Sequence, residues 1–114
     1  MPCIYITTNR KVGTEEEKAL REKFGEAISL FPGKSESWLM FILNDGCKMA
    51  FQGKAEAPAA FVEIKLYGGI DPDASQKMTA EACGILENIL GISPDRVYVR
   101  YEATEHWGWN GANF

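Results

Sequence analysis

The chain has 114 residues, which is the length of one domain built around one hydrophobic core. Apolar residues make up 46% of it, as in a soluble globular protein, and no apolar run is long enough to cross a membrane. The net charge is −4 and no cluster of lysine or arginine is present, which argues against a nucleic-acid partner.

Cysteine usage and the first residues indicate a compartment. Cys3, Cys47 and Cys83 are scattered and odd in number, which fits a reducing environment better than a disulfide framework. Residues Met1 to Ile6 lack the basic flank and the cleavage site of a secretory signal. We therefore expect a cytoplasmic protein, and the alternative is export by a route that needs no signal peptide.

The first elements in chain order are a strand and a helix. Pro2 to Thr8 is rich in strand-forming residues, with Ile4 and Ile6 in alternate positions, and predicts a buried strand. Thr14, followed three residues later by Glu17, predicts a capping box at the start of a helix. Apolar residues at helical spacing extend this helix to the Pro-Gly pair at 32–33, which ends it.

The middle of the chain is predicted to hold two more strands. Trp38 to Leu43 is a continuous apolar run of strand length, and an Asn-Asp-Gly turn follows it. After this turn, Lys48 to Gln52 is expected to return as a short hairpin partner. Phe61 to Tyr67 alternates between apolar and charged residues, which predicts a strand.

A second helix and a final strand complete the pattern. Asp71 is the expected N-cap, with Pro72 at the first helical position, and an apolar stripe then leads to the terminating Gly91. Arg96 to Glu102 alternates and predicts the last strand. The tail, His106 to Phe114, is too aromatic for a free end.

The order of these elements predicts two copies of one β-α-β unit. Side by side they form a four-stranded sheet with both helices on one face, an α+β fold in a single domain over residues 1–114. The other face of the sheet is then left open. Because the segment Phe61 to Leu66 is apolar beyond the needs of one face, we expect other subunits to cover it.

Pro2 is the first candidate for chemistry. Proline at the second position allows Met1 to be removed, which leaves a secondary amine at the new N-terminus. An α-amino group titrates at roughly pH 7.7–8, and burial lowers that pKa by penalising the cation. A base with a pKa near the working pH suits proton abstraction. The alternative is a proline with no chemical role.

Four other residues have two interpretations each. Lys34 either binds a substrate carboxylate or neutralises the end of the first helix. Tyr98 is either a surface residue or a hydroxyl donor at a subunit boundary. Trp107 and Trp109 either pack in the core, the commoner use of tryptophan, or line a ligand pocket.

Cofactor and metal chemistry find little support in the sequence. His106 is the only histidine, which excludes a nucleophile system with a second histidine and disfavours the usual zinc sites. No phosphate loop or dinucleotide fingerprint is present. We therefore expect no cofactor and no metal.

Five segments together resemble the macrophage migration inhibitory factor family of the tautomerase superfamily, and the resemblance spans essentially the whole chain. They are Met1–Ile4, Pro32–Lys34, Met49–Gly53, Ile92–Tyr98 and Trp107–Phe114. The resemblance implies a homotrimer whose sheets line a central barrel, with active sites at the subunit boundaries. It also implies keto–enol interconversion of aromatic α-keto acids such as phenylpyruvate.

The resemblance further implies roles for individual residues. Pro2 is the base, Lys34 binds the substrate carboxylate, and the backbone N–H of Ile64 faces the substrate. Tyr98 enters the site from the adjacent subunit. The aromatic residues of the pocket and the closing tail are Trp107, Trp109 and Phe114.

Some positions depart from the family pattern. Residues 57–60 read Ala-Pro-Ala-Ala where the vertebrate cytokine has Cys-x-x-Cys, so we reject a thiol–disulfide oxidoreductase role. Arg100 and Trp107 replace smaller or uncharged residues, and Trp38 replaces a tyrosine near the pocket entrance. These changes are expected either to favour a dianionic substrate or to narrow the pocket.

Two other functions compete with the tautomerase. The first is a cytokine-like protein that binds a host receptor, with incidental tautomerase activity. The second is hydration or dehalogenation of unsaturated acids, which requires further cationic and acidic groups around the proline. Arg100 can supply the cation, but the sequence offers no clear carboxylate partner.

Overall fold

Four strands form one mixed sheet in the computed structural model, which describes residues 1–114. Their bounds are β1 (Pro2–Thr8), β2 (Met40–Asn44), β3 (Ala60–Tyr67) and β4 (Val97–Thr104), and their order across the sheet is β2-β1-β3-β4. β1 pairs parallel to β2 and antiparallel to β3, and β3 pairs parallel to β4. Two helices, α1 (Thr14–Ala27) and α2 (Pro72–Leu90), pack against each other and against the sheet.

The core lies between the helices and one face of the sheet. Alternate residues of β1 and β3, among them Ile4, Val62 and Ile64, are completely buried there. Phe24 of α1 and Leu86 of α2 meet them from the other side and are also completely buried. The predicted α+β architecture of two β-α-β units, with both helices on one face, is therefore confirmed.

The start of α1 differs from the prediction by one residue. Gly13, not Thr14, is the N-cap, and its N–H donates to Oε1 of Glu16 at 3.1 Å. Glu16 is held in this position by two hydrogen bonds from Arg10, at 2.9 and 2.7 Å. Glu16, and not Glu17, is therefore the residue whose side chain accepts the N–H of the N-cap, and the helix begins at Thr14.

The strand predicted over Trp38 to Leu43 is displaced toward the C-terminus. Residues Glu36–Trp38 form a turn of 3-10 helix, and β2 begins only at Met40. Trp38 therefore precedes the sheet and is half exposed. From this position its indole lines the pocket described below.

The hairpin predicted at Lys48 to Gln52 is wrong. β2 pairs only with β1, and this stretch contributes only an isolated bridge between Phe51 and Lys54. The guanidinium of Arg96 instead donates to the carbonyls of Phe51, Lys54 and Pro58, at 3.3, 3.1 and 2.9 Å. Because a distant side chain satisfies these acceptors, the segment needs no strand partner.

The second unit follows the prediction more closely. Oδ1 of Asp71 accepts hydrogen bonds from the N–H groups of Asp73 and Ala74, at 2.9 and 3.1 Å, and Pro72 opens the helix. Gly91 ends the helix with φ 68°, a left-handed conformation that glycine adopts without strain. β4 begins at Val97 rather than Arg96, because a 3-10 turn precedes it.

The sheet face opposite the helices is uncovered, as predicted, but its composition differs from the expectation. The open side of β3 carries Glu63 and Lys65 beside Phe61, so this strand is not apolar on both faces. The large exposed residues of this face lie elsewhere: Met40 on β2 is 62% exposed and Tyr98 on β4 is 63% exposed. Neither helix is both long and apolar enough to span a membrane.

We predict that Asp71→Ala lowers the free energy of unfolding by about 1 kcal/mol, because two N–H groups at the start of α2 lose their acceptor. Asp73→Ala is the matched control: it removes a carboxylate from the same turn but no capping bond, and is expected to cost less than about 0.5 kcal/mol. Urea denaturation followed by circular dichroism measures both. Equal losses for the two variants would contradict the capping role.

Candidate active site

A pocket of about 740 Å³ opens where β1 begins and β3 ends. Four parts of the chain line it: the N-terminus (Met1 to Cys3), the segment that enters β2 (Ser37 to Met40), Lys65 of β3, and the tail (Trp107 to Trp109). The strand order places β1 between β2 and β3, so the three strands meet at this end. The pocket therefore combines residues that are far apart in the sequence.

Pro2 is fixed in this pocket by the pairing of β1 with β3. It lies opposite Leu66 in the antiparallel register, and its side chain is buried. The carbonyl of Met1 accepts a hydrogen bond from the N–H of Tyr67 at 3.0 Å, which extends the ladder to the first residue. The N-terminus is consequently a held part of the sheet and not a free end.

Lys34 places a cation beside the N-terminus. Its Nζ donates to the carbonyl of Tyr67 at 2.8 Å and lies 5.9 Å from the centre of the Tyr67 ring. Burial and the positive charge of Lys34 lower the pKa of the Met1 amine. These surroundings shift the equilibrium of an amine at this end of the chain toward its neutral form, which is the form that accepts a proton.

Aromatic side chains cover the same end of the sheet. Trp38 meets Trp109 edge to face with ring centres 5.1 Å apart, and Phe114 packs against Tyr67 at 5.2 Å. The rings of Trp109 and Phe114 are nearly parallel, 6.4 Å apart. The aromatic wall therefore joins the turn before β2, the end of β3 and the tail.

The tail reaches this wall by folding into a hairpin. Its strands are β5 (Gly108–Trp109) and β6 (Ala112–Asn113), joined by Asn110 and Gly111 with φ of 53° and 82°. An Asn-Gly pair with two positive φ angles is the preferred two-residue turn of such hairpins. The expectation that the tail is not a free end is met.

Tyr98 lies at the opposite end of the sheet. It pairs in register with Phe61, five residues of β3 away from the partner of Pro2, a separation of roughly 17 Å. Its ring meets Phe51 edge to face at 5.0 Å. Within one chain, therefore, Tyr98 and Pro2 are not brought together.

Ile64 and Arg100 are also outside the pocket. The side chain of Ile64 is completely buried in the core, and the next residue, Lys65, lines the pocket instead. Arg100 lies on the open face of β4, where it pairs with Glu102. The exposed His106 precedes the tail hairpin and is not among the residues that line the pocket.

Two residues that line the pocket, Cys3 and Lys65, and the adjoining Tyr67 were not proposed as site residues from the sequence. Burial raises the pKa of the Cys3 thiol, and although Lys65 acts in the opposite direction the net shift is upward, so this cysteine is held as a thiol. The alternation of β3 predicts Lys65 and Tyr67 on the open face. Only the register between β1 and β3, which the sequence does not encode locally, shows that they adjoin Pro2.

Comparison with known proteins gives a consistent result. The family model described as "Macrophage migration inhibitory factor (MIF)" matches residues 1–114. The macrophage migration inhibitory factor of Rattus norvegicus is 28% identical over 116 residues, covering 100% of this chain and 99% of the relative.

Solved structures agree with this match. The Leishmania major protein MIF2 is 31% identical, with a TM-score of 0.93 and coverage of 100% of this chain and 97% of the other. The macrophage migration inhibitory factor homologue of Prochlorococcus marinus is 32% identical, with a TM-score of 0.83 and 98% of each chain covered.

We predict that in protein lacking Met1 the pKa of the Pro2 amine lies below about 8, the ordinary range of an α-amino group. Only the neutral amine reacts with acetic anhydride, so the labelling rate rises with pH through this pKa, and mass spectrometry follows it. Lys34→Met removes a neighbouring positive charge, and the midpoint is expected to move to higher pH. The control Lys77→Met, an exposed site on α2, is expected to leave it unchanged; an unchanged midpoint in Lys34→Met would contradict the proposed proximity.

Proposed function

The chain belongs to the macrophage migration inhibitory factor family, and on this basis we propose that it is a keto–enol tautomerase of aromatic α-keto acids of the phenylpyruvate type. The observation that carries the proposal is the position of Pro2. It lies at the head of the chain, in a pocket with an aromatic wall, and beside a cation that disfavours protonation of the terminal amine.

Removal of Met1 is the first requirement of the mechanism. While Met1 is attached, the nitrogen of Pro2 belongs to a peptide bond and has no basic lone pair. After removal it is a secondary amine; the hydrogen bond from Tyr67 to the Met1 carbonyl is lost with Met1, and the pairing of β1 with β3 still anchors Pro2 opposite Leu66. The sheet thus positions the base without help from another side chain.

Two contacts orient the substrate: its carboxylate meets Lys34 and its C3 meets the nitrogen of Pro2. Lys34 binds the carboxylate of the keto acid, which brings C3 to the nitrogen of Pro2. The nitrogen takes a proton from C3, and the electron pair of that C–H bond moves into the enolate, whose charge develops on the C2 oxygen. A fixed cation near this charge lowers the barrier, and it does so more strongly where aromatic walls exclude water.

The aromatic wall explains why the proposed substrate carries an aryl group on C3. Trp38, Trp109 and Phe114 offer ring faces and edges within reach of one another, with centres 5.1 and 6.4 Å apart. Trp107 lines the pocket together with Trp38 and Trp109, and Phe114 packs against Trp109 from outside the lining. An aryl group on C3 of the substrate packs against these rings.

A homotrimer completes the proposed site. Tyr98 is 63% exposed and too far from Pro2 of its own chain to act there, so its role in the pocket requires a neighbouring copy. The uncovered sheet face and the 62% exposed Met40 supply apolar surface for such an assembly. Ile64, whose side chain is in the core, is left with only its backbone to offer the substrate.

The names of the relatives favour a second function, that of a cytokine-like protein binding a host receptor. Under this alternative the tautomerase reaction is incidental, and the protein acts after export without a signal peptide rather than in the cytoplasm. Receptor binding that survives covalent modification of Pro2, together with negligible turnover of every keto acid offered, would favour it.

We predict that Pro2→Gly lowers kcat for phenylpyruvate enolisation by at least about 100-fold, the usual contribution of a general base. Borate trapping of the enol measures the reaction, and an unchanged melting temperature shows that the fold is intact. Wild-type chain with Met1 retained by an N-terminal tag is expected to be equally inactive. Full activity in either protein would contradict the role of Pro2.

We predict that Tyr98→Ala and Pro2→Gly complement each other in mixed trimers. In a one-to-one mixture reassembled at random, about one quarter of the sites combine an intact Pro2 with an intact Tyr98 from a neighbour. Activity is therefore expected to appear on mixing two inactive variants. A mixture that stays inactive although sedimentation shows trimers would contradict the shared site.

A further inference from the structure

Lys65 is the one cationic residue that lines the pocket holding Pro2, whereas Lys34 lines a neighbouring pocket with Gly69 and Ile70. Lys65 projects from the open face of β3, directly across from Cys3 in the sheet register, and its side chain is 46% exposed. Its only ion pair is with Glu63, at 3.8 Å, two residues earlier on the same strand. A partly exposed pair at this distance contributes little, so the ammonium group is available to an incoming anion.

The two lysines lie on either side of the base along β3. Pro2 pairs with Leu66; Lys65 precedes Leu66, and the carbonyl that binds Lys34 belongs to Tyr67, which follows it. In the orientation proposed above, the carboxylate of the substrate binds Lys34 and C3 meets Pro2. The substituent on C3 therefore extends toward Lys65 and the aromatic wall.

Resting on the proposed tautomerase function, we propose that Lys65 selects keto acids whose C3 substituent ends in a second anionic group. An aryl ring bearing a distal carboxylate satisfies both the wall and this lysine. A charge-assisted hydrogen bond between ammonium and carboxylate adds binding that an uncharged ring lacks.

Within the chain, Arg100 is not placed to bind the distal carboxylate of such a substrate. Its guanidinium pairs with Glu102 and lies across from Glu63 in the sheet register, on the open face of β4. The preference for a dianion that the sequence linked to Arg100 is thus assigned to Lys65. Lys65 takes no part in the proton transfer, which stays between C3 and Pro2.

The test compares phenylpyruvate with 4-carboxyphenylpyruvate, two substrates that differ by one distal charge. The measured quantity is the ratio of their kcat/KM values, taken in protein lacking Met1. Lys65→Met is expected to lower this ratio about tenfold, since it removes one charged hydrogen bond and leaves the apolar stem. Glu63→Gln is expected to raise it by no more than about threefold, because the pair with Lys65 is weak, and Lys77→Met is expected to leave it unchanged.

Binding of unreactive analogues provides a second readout. Cinnamate and 4-carboxycinnamate differ by the same charge and undergo no turnover, and calorimetry measures their affinities. The preference for 4-carboxycinnamate is expected to fall about tenfold in Lys65→Met.

The outcomes separate this inference from the proposed function. An unchanged ratio in Lys65→Met, or an equal loss for both substrates, overturns the selection by Lys65 while phenylpyruvate turnover still supports the tautomerase. If neither keto acid is turned over, the proposed function fails, and the cinnamate pair then decides the role of Lys65 on its own. Equal affinities of the wild-type protein for cinnamate and 4-carboxycinnamate would also overturn the selection by Lys65.

Discussion

The site depends on the antiparallel pairing of β1 with β3. This pairing places Pro2 opposite Leu66, so the proposed base is held by the same ladder that builds the core, and while Met1 is attached its carbonyl also accepts the N–H of Tyr67. A terminal amine is ordinarily mobile and well solvated. Here the sheet holds the first residues in place, and partial burial together with the charge of Lys34 lowers the pKa of the Met1 amine. The position of Pro2, the proposed base, therefore has its origin in the sheet.

The same register gathers the groups that act with the base. Lys34 is bound to the backbone of Tyr67, Lys65 lies one residue before the partner of Pro2, and the ring of Tyr67 supports Phe114. A slip of β3 by one residue would turn Lys65 and Tyr67 toward the helices and the apolar residues toward solvent. Core packing thus protects the site, because the register that buries Ile64 and Val62 is also the one that exposes Lys65 to the pocket.

The sequence predicted the elements whose signals are local. Strand β1 and the Asp71 cap with Gly91 at the other end of α2 were found because alternation, capping chemistry and glycine conformation act over a few residues. The predictions were wrong where a residue distant in the sequence determines the local structure. Arg10 moves the cap of α1 to Gly13, and Arg96 satisfies the loop that was expected to form a hairpin.

The candidate site likewise contains residues that the sequence identified and residues that only the structure revealed. Pro2, Lys34 and the tail aromatics were proposed from a family resemblance, whereas Lys65 and Tyr67 became visible only with the pairing of β1 and β3, which is not encoded in either strand alone. Tyr98 lies far from Pro2 within one chain, so a single chain does not bring all the proposed site residues together.

The central claim is that the amine of Pro2 takes a proton from C3 of the substrate, from one side of the carbon. Proton NMR of phenylpyruvate in D₂O measures this directly, as exchange of the two C3 hydrogens for deuterium. We expect rapid exchange of one of the two hydrogens by protein with a free Pro2, and no acceleration by protein that retains Met1. Equal acceleration by both proteins, or equal exchange of both hydrogens, would contradict it.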